Sequence, residues 1–228
     1  MVDFDRFSSD YDSALAEGLS ITGEDKHYYA RGRLAWLARS LAKFSVRTKC
    51  LIDYGCGTGT SAPLFFELLG AEEIIGLDTS VNSLAVARKT HNTAGTKFYH
   101  PDEYQPCGQI DLTFCNGVFH HIPPKKRADA VNYIYRCLRP GGIFAIWENN
   151  PWNPGTRYVM SRVPFDRDAI MLSHLETRRI VKDCGFEELR TDFLFIFPKA
   201  LRFLRWIEPL LSSLPLGGQY QVLCRKPE

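Results

Sequence analysis

The sequence lacks any apolar run long enough to cross a bilayer, which would take roughly 20 consecutive apolar residues. Its first residues, MVDFDRFSSDYD, are acidic and carry no apolar stretch. That argues against a secretory leader and predicts a cytoplasmic protein. A dominant charge is missing too: 28 Lys and Arg against 26 Asp and Glu leave a net charge of +2. Nucleic-acid binding would ask for a clustered basic face, and none is visible. There is no Cys-x-x-Cys pair. The seven cysteines (Cys50, Cys56, Cys107, Cys115, Cys137, Cys184 and Cys224) are odd in number and scattered. Cys50, Cys115, Cys137 and Cys224 sit in apolar runs or periodic patterns, so buried reduced thiols are expected rather than disulfides or zinc ligands. A Gly-Lys-[Ser/Thr] phosphate loop is absent as well, and neither repeats nor low-complexity tracts occur.

What is present is the composition of a globular protein, 45% hydrophobic and 24% charged over 228 residues. That is enough chain for one large domain with a sizeable core. The chain is organised around Leu51 to Phe65, LIDYGCGTGTSAPLF. A short apolar run ends in Asp53. Gly55, Gly57 and Gly59 follow, then Ser61-Ala62-Pro63, a plausible helix start with Ser as cap. A buried strand, a glycine turn and a helix N-terminus form a nucleotide-type site at the carboxyl edge of a parallel sheet. The dinucleotide pattern fits poorly: counted from Gly55 its last glycine falls on Thr60, and counted from Gly57 on Ala62. Asp53 would repel a pyrophosphate and suits a cationic ligand.

The remaining pattern alternates strand and helix. Asp25 to Phe44 has apolar residues close to helical spacing and is predicted to cover the sheet. Strands are expected at Glu73–Leu77, Lys97–His100, Ile110–Cys115 and Ile143–Glu148. Helices are expected at Ser61–Leu69, Ser80–Lys89 and Lys125–Leu138, the last closed by Arg139-Pro140-Gly141-Gly142. Asp78 ends the second strand about 20 residues past the glycine loop, where a ribose-binding carboxylate belongs. Asn149 to Arg162, NNPWNPGTRYVMSR, reads as a loop at the sheet's carboxyl end. Leu175 to Gly185 reads as a helix, and Phe186 to Phe197 as a strand with a bulge or break. Lys199 to Leu211 is helical with one apolar face, and Gln219 to Cys224 is a last strand. The apolar face of 199–216 is expected to pack on the domain or at a dimer interface; a membrane contact through Arg202, Arg205 and Trp206 is the other reading.

Asp53-x-Gly55-Cys56-Gly57-x-Gly59 after a strand resembles the first motif of class I S-adenosylmethionine (SAM) methyltransferases. The later motifs follow in that family's order: Asp78, then Asp102, then VFHHIPP after the fourth strand, then LRPGG before the fifth. The resemblance runs from Phe4 to the last strand. It implies an α/β, Rossmann-like, doubly wound seven-stranded sheet, helices on both faces, with the last strand antiparallel between strands five and six. It implies SAM as cofactor and S-adenosylhomocysteine as product. Asp53, Gly55, Cys56, Gly57, Gly59, Asp78, Thr79, Asp102, Glu103, Asn116 and Gly117 are the cofactor-binding candidates. Asp102 would accept from the adenine amino group, and the Glu103 N–H would meet a ring nitrogen. The segment from Phe4 to Asp12 resembles a lid over the active site, with Tyr11 as a contact; anchoring of the arm to the core is an equal alternative.

Methyl transfer to a neutral hydroxyl needs a base, and His120 and His121 are the candidates, with His120 favoured. A carboxylate, phosphonate or phenolate acceptor would need a base less. Glu148, Asn149, Trp152 and Arg157 are the acceptor-binding candidates, because E-x-N-P-x-N-P is similar to loops in methyltransferases of glycan and natural-product pathways. No metal is expected. The whole chain, 1–228, is read as a single domain, with 1–48 as an N-terminal lid and helical region and 149–165 and 198–216 as acceptor-side insertions. The expected activity is O-methylation of a small molecule or a glycan- or lipid-type metabolite by a monomer or homodimer. A non-catalytic SAM-fold partner or regulatory subunit is the alternative. A nicotinamide dehydrogenase would want the third glycine and a Tyr-x-x-x-Lys pair, and neither is found.

Overall fold

A computed structural model describes residues 18–166 and 168–228; the expected lid and its contact Tyr11 lie outside them. Seven strands form one sheet: β1 (Cys50–Tyr54), β2 (Glu73–Leu77), β3 (Thr96–Tyr99), β4 (Ile110–Asn116), β5 (Leu138–Asn149), β6 (Glu187–Leu194) and β7 (Gln219–Arg225). Their spatial order is β3-β2-β1-β4-β5-β7-β6. The first five are parallel, and β7 runs antiparallel between β5 and β6. This is the doubly wound, Rossmann-like sheet expected from the sequence, last strand included.

Two apolar layers sandwich the sheet. Alternate residues of a strand face opposite sides, so Ile143, Ala145 and Trp147 of β5 enter one layer while Phe144 and Ile146 enter the other. The first layer is closed by Leu34, Leu37 and Leu41 of α1 (Lys26–Lys43) and by Leu64 and Phe65 of α2 (Ala62–Leu69). The second is closed by Val131 and Ile134 of α4 (Pro124–Cys137) and Val181 of α6 (His174–Asp183). A smaller cluster joins Leu84 and Ala87 of α3 (Val81–Thr90) to Cys56 and Phe98. Helix α1 starts where Asp25 accepts a hydrogen bond from the Tyr28 N–H. It is pinned by an Arg31–Glu67 ion pair and by the Trp36 indole donating to Asp192. Residues 26–43 are thus a packed helix of the body.

Four expectations change. Ser61 has helical backbone angles and makes no capping bond, so α2 begins without it. Leu138-Arg139-Pro140-Gly141-Gly142 does not close α4 by turning. Helix α4 ends at Cys137 and β5 begins at once, with a register shift opposite Ile110 and Leu112. Gly141 has φ +72° there. The expected loop 149–162 holds a helix, α5 (Pro154–Arg162), started by Asn153 accepting from the Thr156 N–H and by Pro154 in its first turn. Segment 199–207 is built of 3₁₀ turns kinked at Leu201, followed by a single short turn, α7 (Glu208–Leu211). Its apolar side is not packed on the domain: Phe203, Trp206 and Leu210 are exposed by 67%, 75% and 77%. Arg205 and Glu208 hold it down instead, through Glu24, the Phe197 carbonyl, the Tyr28 ring and the Phe197 N–H. All seven cysteines are free. No helix among the described residues is long and apolar enough to cross a membrane.

Candidate active site

The glycine loop joins β1 to α2 at the sheet's carboxyl edge. The N–H groups of Gly55 and Cys56 donate to the Leu77 carbonyl at 2.7 and 3.1 Å, which ties the loop to the end of β2. Asp78, the next residue, fixes the loop further. One carboxylate oxygen accepts from the Gly57 N–H at 2.7 Å and the other from the Ser80 N–H at 2.8 Å. Thr79 is exposed beside it. A Cβ on Gly57 would meet nothing within 4 Å, while one on Gly55 would fall 2.2 Å from Val118 Cγ2. The open space above Gly57 is therefore where a ligand can approach the backbone. Cys56 is buried against Leu84, Ala87 and Phe98, where it builds the loop's underside.

Asp53 is 5% exposed at the end of β1. Burial, and then the charge of Asp78, push its carboxyl up to about 7, while Arg33 of α1 pulls it back. On the far side of the loop, Pro101–Glu103 forms a 3₁₀ turn. Asp102 points into solvent, its side chain 92% exposed. The Glu103 carboxylate accepts from the His100 N–H, and the Glu103 N–H donates to the His100 carbonyl. Asp102 is thus open to a ligand, whereas the Glu103 N–H is already engaged within the turn.

Beyond Asn116 and Gly117 the chain leaves β4 and enters a short turn, Phe119–His121, over a cavity of about 420 Å³. Asn116, Gly117, His120, His121, Asn149 and Asp166 line it, together with Lys26, Tyr29 and Arg33 of α1 and Phe195, which sits at φ +62°. Glu148 lies behind the histidines, 1% exposed. One of its oxygens accepts from the Phe119 N–H at 2.7 Å, and the other lies 2.6 Å from His120 Nδ1. The other nitrogen, His120 Nε2, is 3.4 Å from Asp166 Oδ1, and His121 Nε2 is 3.3 Å from the same oxygen. Arg127 fastens this turn from below. Though 1% exposed, it donates to the carbonyls of Phe119 and Ile122, and it pairs with Glu176.

This geometry gives the two candidate bases opposite surroundings. Burial alone would lower the His120 pKa, but Glu148 and Asp166 face its two nitrogens and push it up to about 10. In that state the ring has no lone pair to take a proton from an acceptor. His121 behaves oppositely: burial and the charge of His120 lower it, against the pull of Asp166. Two acceptor candidates lie away from this cavity. Trp152 is 52% exposed and packs edge-on against His174 at 4.6 Å, and neither it nor the exposed Arg157 lines the cavity. Asn149 does line it and accepts from the Gln219 side chain. The Asn-Pro repeats are structural, since Asn150 and Asn153 donate to the carbonyls of Pro215, Gly217 and Leu216. Asp166, Lys26 and Arg33 were not singled out in the sequence. A Phe-Asp pair after Val163-Pro164 was the one local sign of the first.

An open α/β sheet, a glycine loop tied to a strand-end carboxylate, and a cavity at the end of β4 define the class of proteins that bind a nucleoside-type ligand at a sheet edge. A methyltransferase-domain family matches residues 52–146. The chain is 32% identical over 196 residues to a trans-aconitate 2-methyltransferase of Methylobacterium nodulans, covering 77% of this chain and 74% of that one. It is 35% identical over 191 residues to a carboxy-S-adenosyl-L-methionine synthase of Campylobacter curvus, covering 73% and 80%. A SAM-dependent methyltransferase structure from Thermotoga maritima superposes with a TM-score of 0.67 at 22% identity, over 98% and 97% of the two chains. The chain belongs to the SAM-dependent methyltransferase family. It spans 36% of the length of the trans-aconitate 2-methyltransferases of two Rhizobium species that it matches at 38% identity.

Proposed function

We propose that this protein transfers the methyl group of SAM to a carboxylate oxygen of a small molecule held in the 420 Å³ cavity. The observation that carries this is the cavity's position and lining. It begins at Asn116 and Gly117, at the end of β4, and two cationic side chains of α1, Lys26 and Arg33, face it. A carboxylate is ionised at neutral pH, so it attacks the sulfonium methyl without a base. The protein's task is then alignment, whose effective molarity reaches about 10⁵–10⁸ M. The acid acceptors named for two of the trans-aconitate relatives point the same way.

The cofactor rests over Gly57, with its ribose diol on Asp78, its adenine near Asp102 and its cationic end toward Asp53. The direct test offers SAM and a panel of small di- and tricarboxylic acids and follows S-adenosylhomocysteine release and methyl-ester formation by mass spectrometry. A base-labile methyl ester is expected. A base-stable ether or amine product would overturn the carboxylate assignment. Calorimetric binding of SAM with no turnover on any acceptor class would favour a non-catalytic SAM-fold partner.

Two further results are expected. Asp78→Ala removes charged hydrogen bonds to the ribose and weakens SAM by roughly one to two decades, on about 1.5–3 kcal/mol for such bonds. Equal SAM affinity in a folded variant would refute that placement. The second concerns pH. With a folded carboxyl at about 7, Asp53 is protonated below that value and a cationic ligand meets no charge there. Binding the cation favours the ionised form and releases a proton. SAM affinity should therefore rise with pH through about 7 and level off above it, and Asp53→Asn should flatten the curve. Stability of the ligand-free protein carries the opposite sign: a raised folded pKa helps below the unfolded value of about 3.9 and is lost as pH climbs through 7. A wild-type SAM titration that is flat from pH 6 to 8 would remove Asp53 from the role.

A further inference from the structure

We propose that His120, His121 and Asp166 form a binding site for a divalent transition-metal ion at the wall of the acceptor cavity. One ligand atom from each of the three residues lies within 4.8 Å of the other two, and all three residues line the cavity. The separations match those of ligands that share one ion. Asp166 Oδ1 is 3.4 Å from His120 Nε2 and 3.3 Å from His121 Nε2. A charge-assisted N–H···O bond closes to roughly 2.7–2.9 Å, and neither contact does. Two donors sharing one ion at about 2.0–2.1 Å stand roughly 3.3–3.4 Å apart along a tetrahedral edge. Both contacts have that length, and both converge on one oxygen.

A second observation is independent of the first. A metal-bound histidine characteristically gives its other ring N–H to a carboxylate, which fixes the tautomer and aims the ring. His120 Nδ1 lies 2.6 Å from Glu148, and Glu148 is itself fixed by the Phe119 N–H. Glu148 thus acts on the site through His120 and is a positioning residue. Local structure supplies the rest. His120 and His121 are neighbours in a 3₁₀ turn, and their ring centroids lie only 4.1 Å apart. The His120 carbonyl accepts from the Ile170 N–H at 2.9 Å. That bond draws the segment after Asp166 against the turn.

Two imidazoles and one carboxylate select zinc, iron, cobalt or manganese over magnesium and calcium, which prefer all-oxygen shells. Three protein ligands leave a position open, and here the open side is the cavity. On the methyl-transfer reading, the ligand entering that position is an oxygen of the acceptor.

The test titrates the full-length, chelator-treated protein with Co²⁺ alone and reads visible absorption, then displaces the Co²⁺ with Zn²⁺. One equivalent should give nitrogen- and oxygen-ligand bands, without the intense near-ultraviolet charge transfer of thiolate ligands. Asp166→Asn and His121→Ala should each abolish the bands, with circular dichroism confirming that the variants fold. Glu148→Gln should keep them while weakening affinity about 10–100-fold. Absence of binding, thiolate bands, or equal binding by Asp166→Asn would each overturn the site. Because no SAM or acceptor is added, failure here leaves the methyl-transfer reading standing, and failure of methyl transfer leaves the metal titration readable.

Discussion

Glu148→Ala is expected to destabilise the protein by about 3–5 kcal/mol, the range for removing one partner of a buried charged pair. Glu148 is 1% exposed, and both its oxygens are engaged. The substitution orphans the buried Phe119 N–H and takes the carboxylate partner from the His120 ring, which is 4% exposed. The damage should also spread. The turn Phe119–His121 is held from above by Glu148 and from below by Arg127, whose guanidinium takes the carbonyls of Phe119 and Ile122. Losing one clamp leaves the cavity wall hanging on the other. Urea denaturation followed by two independent probes measures the loss. Glu148→Gln should cost less, because the amide oxygen still accepts one of the two bonds. A midpoint shift equivalent to under about 1 kcal/mol for the alanine variant would show that the cluster contributes little to folding.

The clamp also shows which parts of the molecule the sequence discloses. Strand β2 was legible as a short apolar run stopped by Asp78 and is paired over the expected residues, whereas β1 was legible from its apolar run but continues through Asp53 to Tyr54. The antiparallel β7 came from the family resemblance, since no local pattern in QYQVLC fixes its direction. Pro and Gly misled twice. In Leu138–Gly142 they look like the end of a helix but make the irregular start of a strand; in Asn153-Pro154-Gly155 they look like a loop but start a helix, where the missing proline N–H costs nothing. The grouping of the glycine loop with Asp78 was readable because these residues are adjacent in sequence or one strand apart. The cavity was not. Glu148 lies 28 residues beyond His120, and Asp166 is farther still, so it takes tertiary contacts, among them the pairing of β4 with β5 and the bond from Ile170, to bring the three together. Arg127 stood in a Lys-Lys-Arg run that reads as a solvated helix start. Its partners include the Ile170 carbonyl and Glu176 of α6, 43 and 49 residues away, which no local pattern joins to it.

Gly57→Val should abolish most SAM binding while leaving the fold in place, and Gly55→Val should do the reverse. Both glycines have positive φ, +52° and +79°, so any side chain at either position carries a left-handed cost of roughly 1–2 kcal/mol. Beyond that shared cost the two differ in what a side chain would meet. At Gly57 a Cβ finds open space, so no clash within the polypeptide adds to the backbone cost there. The branched side chain instead fills the volume over which the cofactor must approach. Overlap of this kind costs typically 1–3 kcal/mol, or about one to two decades of affinity, before any loss of the Gly57 N–H bond to Asp78 is added. At Gly55 the Cβ would stand 2.2 Å from Val118 Cγ2, on the segment leading to the histidine turn. Folding bears that clash, so the expected result is a lowered melting temperature. Val118→Ala in the Gly55→Val background should restore part of the stability, because it removes the clashing methyl, and should do nothing for Gly57→Val. Calorimetric SAM affinity and thermal melts on the four variants separate the effects. If Gly57→Val binds SAM as the wild type does, the cofactor does not lie over that glycine.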